Sequence, residues 1–178
     1  MRIISGTKRG KTLFTPKDER IRPTTDRARE ALFSIIHSKI GDSLPNMAIL
    51  DIFSGTGAFG LEAASRGAKS ITFVDIDLNL TEKNAKLCGF NNIKFIKHDA
   101  RTLPPALQKH DLIFLDAPYN MGLSEPTLEN LIKQNYLADN ALIIVETAKD
   151  EVLSIPSTLT QIDERTYGAA RFTFFNPI

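Results

Sequence analysis

Cysteine and histidine are scarce in this chain, whose 178 residues include one cysteine and three histidines. Cys88 on its own excludes an internal disulfide, and its place near the end of a helical pattern predicts a buried structural thiol. The histidines lie apart, without cysteine or carboxylate partners at ligand spacing, so we expect no metal. No apolar run approaches membrane-spanning length, and the first five residues lack the apolar core of a signal peptide. We therefore expect a cytoplasmic protein without membrane contact.

Charge is nearly balanced overall but unevenly distributed, with a formal net charge of +1. Among the first 30 residues, nine Lys and Arg stand against four Asp and Glu, which leaves the remainder at a net charge of −4. A basic segment can attract a phosphate backbone, although Lys and Arg are also common on a merely solvated face. We expect one domain over residues 25–178, preceded by a small basic arm over residues 1–24.

A series of short apolar runs separated by helical segments predicts an α/β fold with a mostly parallel sheet. Two further strand-like runs, 160–165 and 170–175, flank Tyr167-Gly168-Ala169 too closely for a helical crossover, so they predict an antiparallel hairpin and a total of seven strands. The five earlier runs are Ile49–Phe53, Ile71–Val74, Ile93–Ile96, Leu112–Leu115 and Leu142–Val145.

The sequence also predicts where several helices begin or end. The segment Pro23-Thr24-Thr25-Asp26 predicts a helix start, because threonine caps free amide groups and Asp26 suits the positive end of the helix dipole. Gly67 and Gly89 lie where a left-handed residue would close two later helices.

The tetrapeptide Asp116-Ala117-Pro118-Tyr119 follows the apolar run Leu112–Leu115 directly. Proline stops the strand ladder, so these residues fall at the carboxyl end of a buried strand, where α/β sheets bind ligands. A carboxylate beside an aromatic ring suits a flat guest that carries an amine, such as a nucleobase. The alternative is a strand-ending turn with a packed tyrosine.

A glycine-rich loop, Asp51 to Gly60, follows the first strand and opens a helix. Gly55 permits a tight turn, Gly57 permits a ligand to approach the backbone, and Gly60 permits close packing of helix on strand. The loop satisfies the dinucleotide pattern, and Asp75 lies twenty residues after Gly55, where a ribose-binding acid is expected. One hypothesis for the function is therefore a nicotinamide-dependent oxidoreductase.

The acids around this loop favour S-adenosylmethionine instead. Asp51 can attract an ammonium group, and Asp99, at the end of the third strand, can meet an adenine amino group. Together with Asp75 these acids make three carboxylates, which would repel the phosphates of a dinucleotide. Only a hairpin follows the fifth strand, which leaves no room for a separate domain that binds a hydride acceptor. Each acid taken alone is equally a turn former or helix cap.

Several motifs together carry a resemblance. They are Arg2-Ile3-Ile4-Ser5-Gly6 with Arg9-Gly10, Arg22-Pro23-Thr24-Thr25-Asp26-Arg27 with Arg29-Glu30, the glycine loop, Asp116 to Tyr119, and Arg165-Thr166-Tyr167-Gly168. With these motifs the chain resembles the bacterial small-subunit (16S) ribosomal RNA guanine-N2 methyltransferases over nearly its whole length. The resemblance implies a Rossmann-like class I methyltransferase domain with a β-rich basic arm.

The resemblance also implies roles for individual residues. S-adenosylmethionine would be held by Asp51, Phe53, Gly55, Gly57, Asp75, Ile76, Asp99 and Ala100. The base would be held by Asp116, Ala117, Pro118 and Tyr119. Phosphates of ribosomal RNA, free or in an assembling small subunit, would meet Arg9, Lys11, Arg22, Arg27 and Arg29. We expect the protein to be a monomer.

One position departs from the family, whose tetrapeptide usually has two prolines, because Ala117 stands at the first. The group expected to bond the target amine there is the backbone carbonyl, which alanine retains, and Pro118 still favours extended geometry at Ala117. Three other functions stay open on sequence alone: amino methylation of adenine in DNA, nicotinamide-dependent oxidoreduction, and RNA binding without catalysis.

Overall fold

Strands and helices alternate along the computed structural model, which describes residues 1–16 and 26–178. The order is α1 (Asp26–Ile40), β1 (Ala48–Ile52), α2 (Ala58–Ser65), β2 (Ser70–Asp75), α3 (Asn79–Cys88), β3 (Ile93–Lys97), β4 (His110–Asp116), α4 (Ser124–Lys133), β5 (Leu137–Ala148), β6 (Leu159–Tyr167) and β7 (Ala170–Pro177). Short 3-10 turns occupy Gly6–Lys8, Gly41–Asn46 and Ala100–Thr102. No helix of this described part is long and apolar enough to cross a membrane.

The strands form one seven-stranded sheet in the order β3-β2-β1-β4-β5-β7-β6. Strands β1 to β5 are parallel, whereas β7 runs antiparallel to both of its neighbours, β5 and β6. The predicted α/β fold, its parallel strands and its carboxyl-terminal hairpin are confirmed. Because parallel strands share a direction, the carboxyl ends of β1 to β5 lie along one edge of the sheet.

Helices pack on both faces of the sheet, and the residues of β4 alternate between the two faces. Leu112 and Phe114 belong to the hydrophobic cluster that includes α1 and α2, whereas Ile113 and Leu115 belong to the cluster that includes α4. On the first face the Phe59 ring stacks on the Phe114 ring at 4.1 Å between centroids. Burial on both faces explains why the run is continuously apolar.

The predicted helix boundaries agree with the structure where they can be compared. α1 begins at Asp26, while the Pro23–Thr25 part of its predicted start lies outside the described residues. Gly89 follows α3 with φ 69°, and Gly67 lies two residues after α2 with φ 99°. Cys88, the last residue of α3, is buried, and this burial raises the pKa of its thiol.

Residues 1–16 fold back on themselves and pack against α2. Their β character consists of one antiparallel bridge, Arg2 with Thr12. Ile3 and Leu13 are buried in the same cluster as α1 and α2, so this segment contributes to the core. The domain boundary expected at residue 24 falls in residues 17–25, outside the described part.

A buried carboxylate holds this amino-terminal segment in place. Glu62 in α2 accepts hydrogen bonds from the amides of Ile4 (2.7 Å) and Ser5 (3.0 Å). It also accepts one from Nε of Arg66 at 2.8 Å. Ser65 adds two contacts, donating to the Ser5 carbonyl at 2.6 Å and accepting from the Lys8 amide at 2.9 Å. Hydrogen bonds to a charged acceptor are among the stronger ones in proteins.

Two glycines provide a matched test of this packing. Gly6 and Gly10 have nearly the same φ, 80° and 83°, but a Cβ on Gly6 would lie 1.8 Å from the Ser65 carbonyl oxygen, and one on Gly10 would meet nothing within 4 Å. Gly10→Ala should cost about 1–2 kcal/mol for left-handed backbone alone. Gly6→Ala should cost about 1–3 kcal/mol more, because the segment must move off α2. Urea unfolding measures both, and equal losses would contradict the described packing.

Candidate active site

Acidic residues gather at the carboxyl edge of the sheet. Asp51 lies in β1, Asp75 ends β2, Asp116 ends β4, and Asp99 follows β3 by two residues. The strands β3, β2, β1 and β4 are consecutive neighbours in the sheet. The structure therefore brings together acids that are up to 65 positions apart in the sequence.

Asp51 is buried beneath the glycine loop. Its carboxylate accepts a hydrogen bond of 2.9 Å from the amide of Gly60, the third residue of α2. Burial raises the pKa of Asp51 to about 8, the Gly60 hydrogen bond opposes this, and the charge of Asp75 adds to it. A cation beside Asp51 would favour its ionised form.

Hydrogen bonds from neighbouring residues of the site hold the glycine loop in place. The Gly55 amide donates to Oδ2 of Asp75 at 2.9 Å, and the Asp77 amide donates to Oδ1 of Asp75 at 3.1 Å. Thr81 at the start of α3 donates to the Gly55 carbonyl at 2.8 Å. Its hydroxyl also lies 3.2 Å from that of Ser54. Asp75 and Thr81 thus shape the loop in addition to any contact with a ligand.

Close packing accounts for two glycines of the loop. A Cβ at Gly60 would lie 2.4 Å from the Phe73 ring, so the predicted close approach of helix to strand is confirmed. At Gly57, where φ is 74°, a Cβ would lie 2.8 Å from Cγ2 of Thr81. The sequence suggested ligand approach as the reason for Gly57, and the structure adds the contact with α3.

Asp99 is engaged by a neighbouring cation. Arg101 contacts its carboxylate through the backbone amide at 2.9 Å and through a guanidinium nitrogen at 2.6 Å. These hydrogen bonds lower the pKa of Asp99 to about 2, so the carboxylate stays ionised. Nearby, Ala100 is buried, Ile76 is 70% exposed at the site edge, and Phe53 has a left-handed φ of 58°.

Asp116 lies beside other acids. It is paired in register with Glu146 across β4 and β5. Its pKa is raised, first by burial and then by the charges of Glu146 and Asp51. Ala117 is buried behind it, whereas Pro118 is exposed. The carboxylate therefore binds protons more tightly than an ordinary aspartate does.

Tyr119 is fixed through its hydroxyl. The hydroxyl donates to Oε1 of Glu146 at 2.6 Å, while the side chain remains 38% exposed. Burial, the charge of Glu146 and this hydrogen bond all raise the pKa of Tyr119, so its phenol stays protonated. The ring is therefore both anchored and accessible.

Glu146 is the site residue that the sequence reasoning missed. The predicted fifth strand ended at Val145, but β5 extends to Ala148 and carries Glu146 at the same level as Asp116. The signal was present, because an acid follows the apolar run 142–145 just as Asp116 follows 112–115.

The basic residues proposed as RNA contacts have different surroundings. Arg9, Lys11 and Arg27 are exposed, and Arg22 lies outside the described residues. Arg29 is only 2% exposed, and its guanidinium bonds the Arg2 carbonyl and, at 3.0 Å, Oδ1 of Asp26. The expectation for Arg29 is therefore corrected: its guanidinium joins α1 to the amino-terminal segment and does not face a phosphate.

One amide side chain joins the amino-terminal segment to the glycine loop. Asn84 in α3 accepts from the Phe14 amide at 2.8 Å and donates to the Phe14 carbonyl at 2.9 Å. Its Nδ2 also donates to the Thr56 carbonyl at 2.9 Å. Within residues 1–16 and 26–178, no group of three His, Cys, Asp or Glu could hold a metal ion.

Comparison with known proteins assigns the chain to a family. The family model described as conserved hypothetical protein 95 matches residues 1–176. Ribosomal RNA small subunit methyltransferase D of Haemophilus influenzae is 34% identical, covering 98% of this chain and 93% of that protein. The solved putative methyltransferase yhhF from Escherichia coli is 32% identical with a TM-score of 0.84, covering 99% of this chain and 97% of that one.

A more distant relative covers part of the chain. The tRNA (guanine(6)-N2)-methyltransferase of Thermus thermophilus is 36% identical over 90 residues, which span 48% of this chain and 27% of that protein. The full-length matches carry the assignment. The chain belongs to the family of the ribosomal RNA small subunit methyltransferase D proteins, whose family model is described as conserved hypothetical protein 95.

Proposed function

We propose that this protein transfers a methyl group from S-adenosylmethionine to the exocyclic N2 amine of a guanine in small-subunit ribosomal RNA. The observation that carries the proposal is the row of strand-end carboxylates, Asp99, Asp75, Asp51 and Asp116, beside the glycine loop. The names of the relatives support it, since one acts on small-subunit ribosomal RNA and another on guanine N2 of tRNA.

The donor half of the proposed site is the part nearest the glycine loop. Asp51, Gly55, Gly57, Asp75 and Asp99, with Phe53, Ile76 and Ala100, would hold S-adenosylmethionine. When bound, this cofactor supplies a methyl group activated by a sulfonium. The buried, raised-pKa carboxyl of Asp51 fits a cationic ligand and would repel the pyrophosphate of a nicotinamide dinucleotide.

The acceptor half is the tetrapeptide. An exocyclic guanine amine is a weak nucleophile, because its lone pair is delocalised into the ring. The Asp116 carboxylate and the Ala117 carbonyl would accept hydrogen bonds from the two N–H groups and hold the nitrogen in a geometry that frees the lone pair. The exposed ring of Tyr119 would stack on the base, and Pro118 shapes the turn between them. A paired target base must first be unstacked.

The basic arm would contact RNA phosphates. Arg9, Lys11 and Arg27 are exposed and suited to this role, and Arg22 remains part of the proposal. Action on ribosomal RNA implies residence in the cytoplasm, and free RNA or an assembling small subunit would be the substrate. We propose that the protein acts as a monomer.

Methyl transfer tests the reaction directly. With labelled S-adenosylmethionine, the protein should methylate small-subunit ribosomal RNA at guanine N2, identified by mass analysis of nucleosides. Asp116→Asn should lower kcat by about 100-fold or more, because a charged acceptor for the amine is lost. The surface change Asp139→Asn is the matched control. Labelling of adenine in duplex DNA instead of ribosomal RNA would contradict the proposal.

Donor binding should depend on pH through Asp51, whose pKa is about 8 in the free protein. Below that pH the carboxyl is protonated, so binding of the cationic donor should strengthen as pH rises from 6 to 8, by up to about tenfold per unit. Asp51→Asn should make this dependence shallower. Calorimetry in buffers of different ionisation enthalpy measures affinity and proton release together, and an equal pH dependence in both proteins would exclude Asp51 as the linked group.

The salt dependence of RNA binding tests whether the basic arm contacts RNA phosphates. Replacing Arg9 and Lys11 together by alanine should weaken binding and reduce the slope of log affinity against log salt by about 1.4–1.8. Filter binding at several salt concentrations measures this. Lys109→Ala, which removes a surface cation at the opposite end of β4, is the control, and an unchanged slope in the double variant would remove these two residues from the RNA interface.

A further inference from the structure

Glu146 is a buried acid whose role the proposed reaction does not specify. It is 2% exposed, although it belongs to β5, whose preceding residues 141–145 are all apolar. Its register partners are Asp116 on β4 and Phe172 on β7. A carboxylate in such surroundings is costly to bury, so its contacts need an explanation.

The hydrogen bond to Tyr119 supplies a mechanical explanation. Residues 118–122 of the turn after β4 are exposed, and Asn120 and Gly122 have positive φ values of 57° and 63°. The backbone of such an exposed turn does not by itself fix the orientation of the ring. The 2.6 Å bond from its hydroxyl to Glu146 ties the ring to the rigid sheet. The base-stacking face thereby acquires a defined position before RNA binds.

The charge of Glu146 supplies an electrostatic explanation. Asp116 lies beside Glu146 on β5 and Asp51 on β1, and both charges raise its pKa. The pKa of Tyr119 is raised in addition by the charges of Asp116 and of Glu151, which follows β5. On the β7 side the partner of Glu146 is the apolar Phe172, and the neighbouring Arg171 directs its guanidinium to the Glu151 carbonyl. At the register position beside Asp116, the charge of Glu146 raises the pKa of the carboxyl that would meet the target amine.

We propose that Glu146 is a positioning residue of the base-binding half of the site, which holds the Tyr119 ring through its hydroxyl and sets the charge environment of Asp116. This inference rests on the proposed methyl transfer to a base amine. It assigns to β5 a part in base recognition, in addition to the tetrapeptide of β4.

Separate variants distinguish the two effects. Tyr119→Phe keeps the ring and the Glu146 charge but removes the hydrogen bond, so KM for RNA should rise about tenfold. Glu146→Gln keeps an acceptor for the hydroxyl but removes the charge, so the acidic limb of the kcat profile should move to lower pH with little change in KM. Glu146→Ala should show both effects. Steady-state methylation of small-subunit ribosomal RNA between pH 6 and 9 measures them.

Glu129→Gln, the same chemical change on the exposed face of α4, is the matched control, and thermal unfolding verifies that every variant is folded. A wild-type KM in Tyr119→Phe together with an unmoved pH limb in Glu146→Gln would overturn the inference while leaving the methyl transfer intact.

An absorbance titration tests the contact independently of activity. Of the three tyrosines, Tyr119 and Tyr136 both have raised pKa values, so the readout is the difference between variants: Glu146→Gln should bring the ionisation of Tyr119 to lower pH and leave that of Tyr136 unchanged. If the wild type methylates no RNA, the proposed function fails and the inference of a base-binding role fails with it, but a shifted titration still shows that the charge of Glu146 acts on Tyr119. An unchanged titration would show that the charge of Glu146 does not act on the Tyr119 phenol, and would overturn that part of the inference.

Discussion

Repulsion among carboxylates at one edge of the sheet is the constraint on which the site depends. Parallel strands deliver their last residues to the same edge, and here five neighbouring strands bring an acid there. Hydrogen bonds from the loop satisfy Asp75, and Arg101 satisfies Asp99. Asp51 and Asp116 instead have raised pKa values, caused first by burial and then by neighbouring acids. A bound cation would stabilise their ionised forms, so the edge is suited to a positively charged ligand.

Much of the fold was predictable because its signals are local and periodic. The apolar runs, the glycine loop and the closely spaced run around Gly168 each specify their element from neighbouring residues. Asp116 was recognised because Pro118, two residues later, marks the end of the strand. Glu146 was missed because β5 continues past it without a proline or glycine, so the acid after the apolar run was the only mark of the position in the sequence.

The surroundings of the Arg29 side chain could not be predicted from the sequence. Its charge suggested a phosphate contact, but its surroundings are decided by a carbonyl 27 positions away and by the packing of α1. The amino-terminal segment raises the same difficulty, because it has almost no regular structure of its own. Glu62, buried in α2, ties it to the domain through two backbone amides. Neither fact is encoded in local propensity, since both arise from contacts between distant parts of the chain.

The position of β7 has a consequence for the order of assembly. Although β7 follows β6 in the chain, it lies between β5 and β6, and its Phe172, Phe174 and Phe175 are completely buried. During synthesis β6 therefore has no partner in the sheet until residues 170–177 have left the ribosome. The apolar faces of β5 stay uncovered on that side for the same interval. The sheet can therefore be completed only once β7 is available, because β7 joins β6 to the parallel strands.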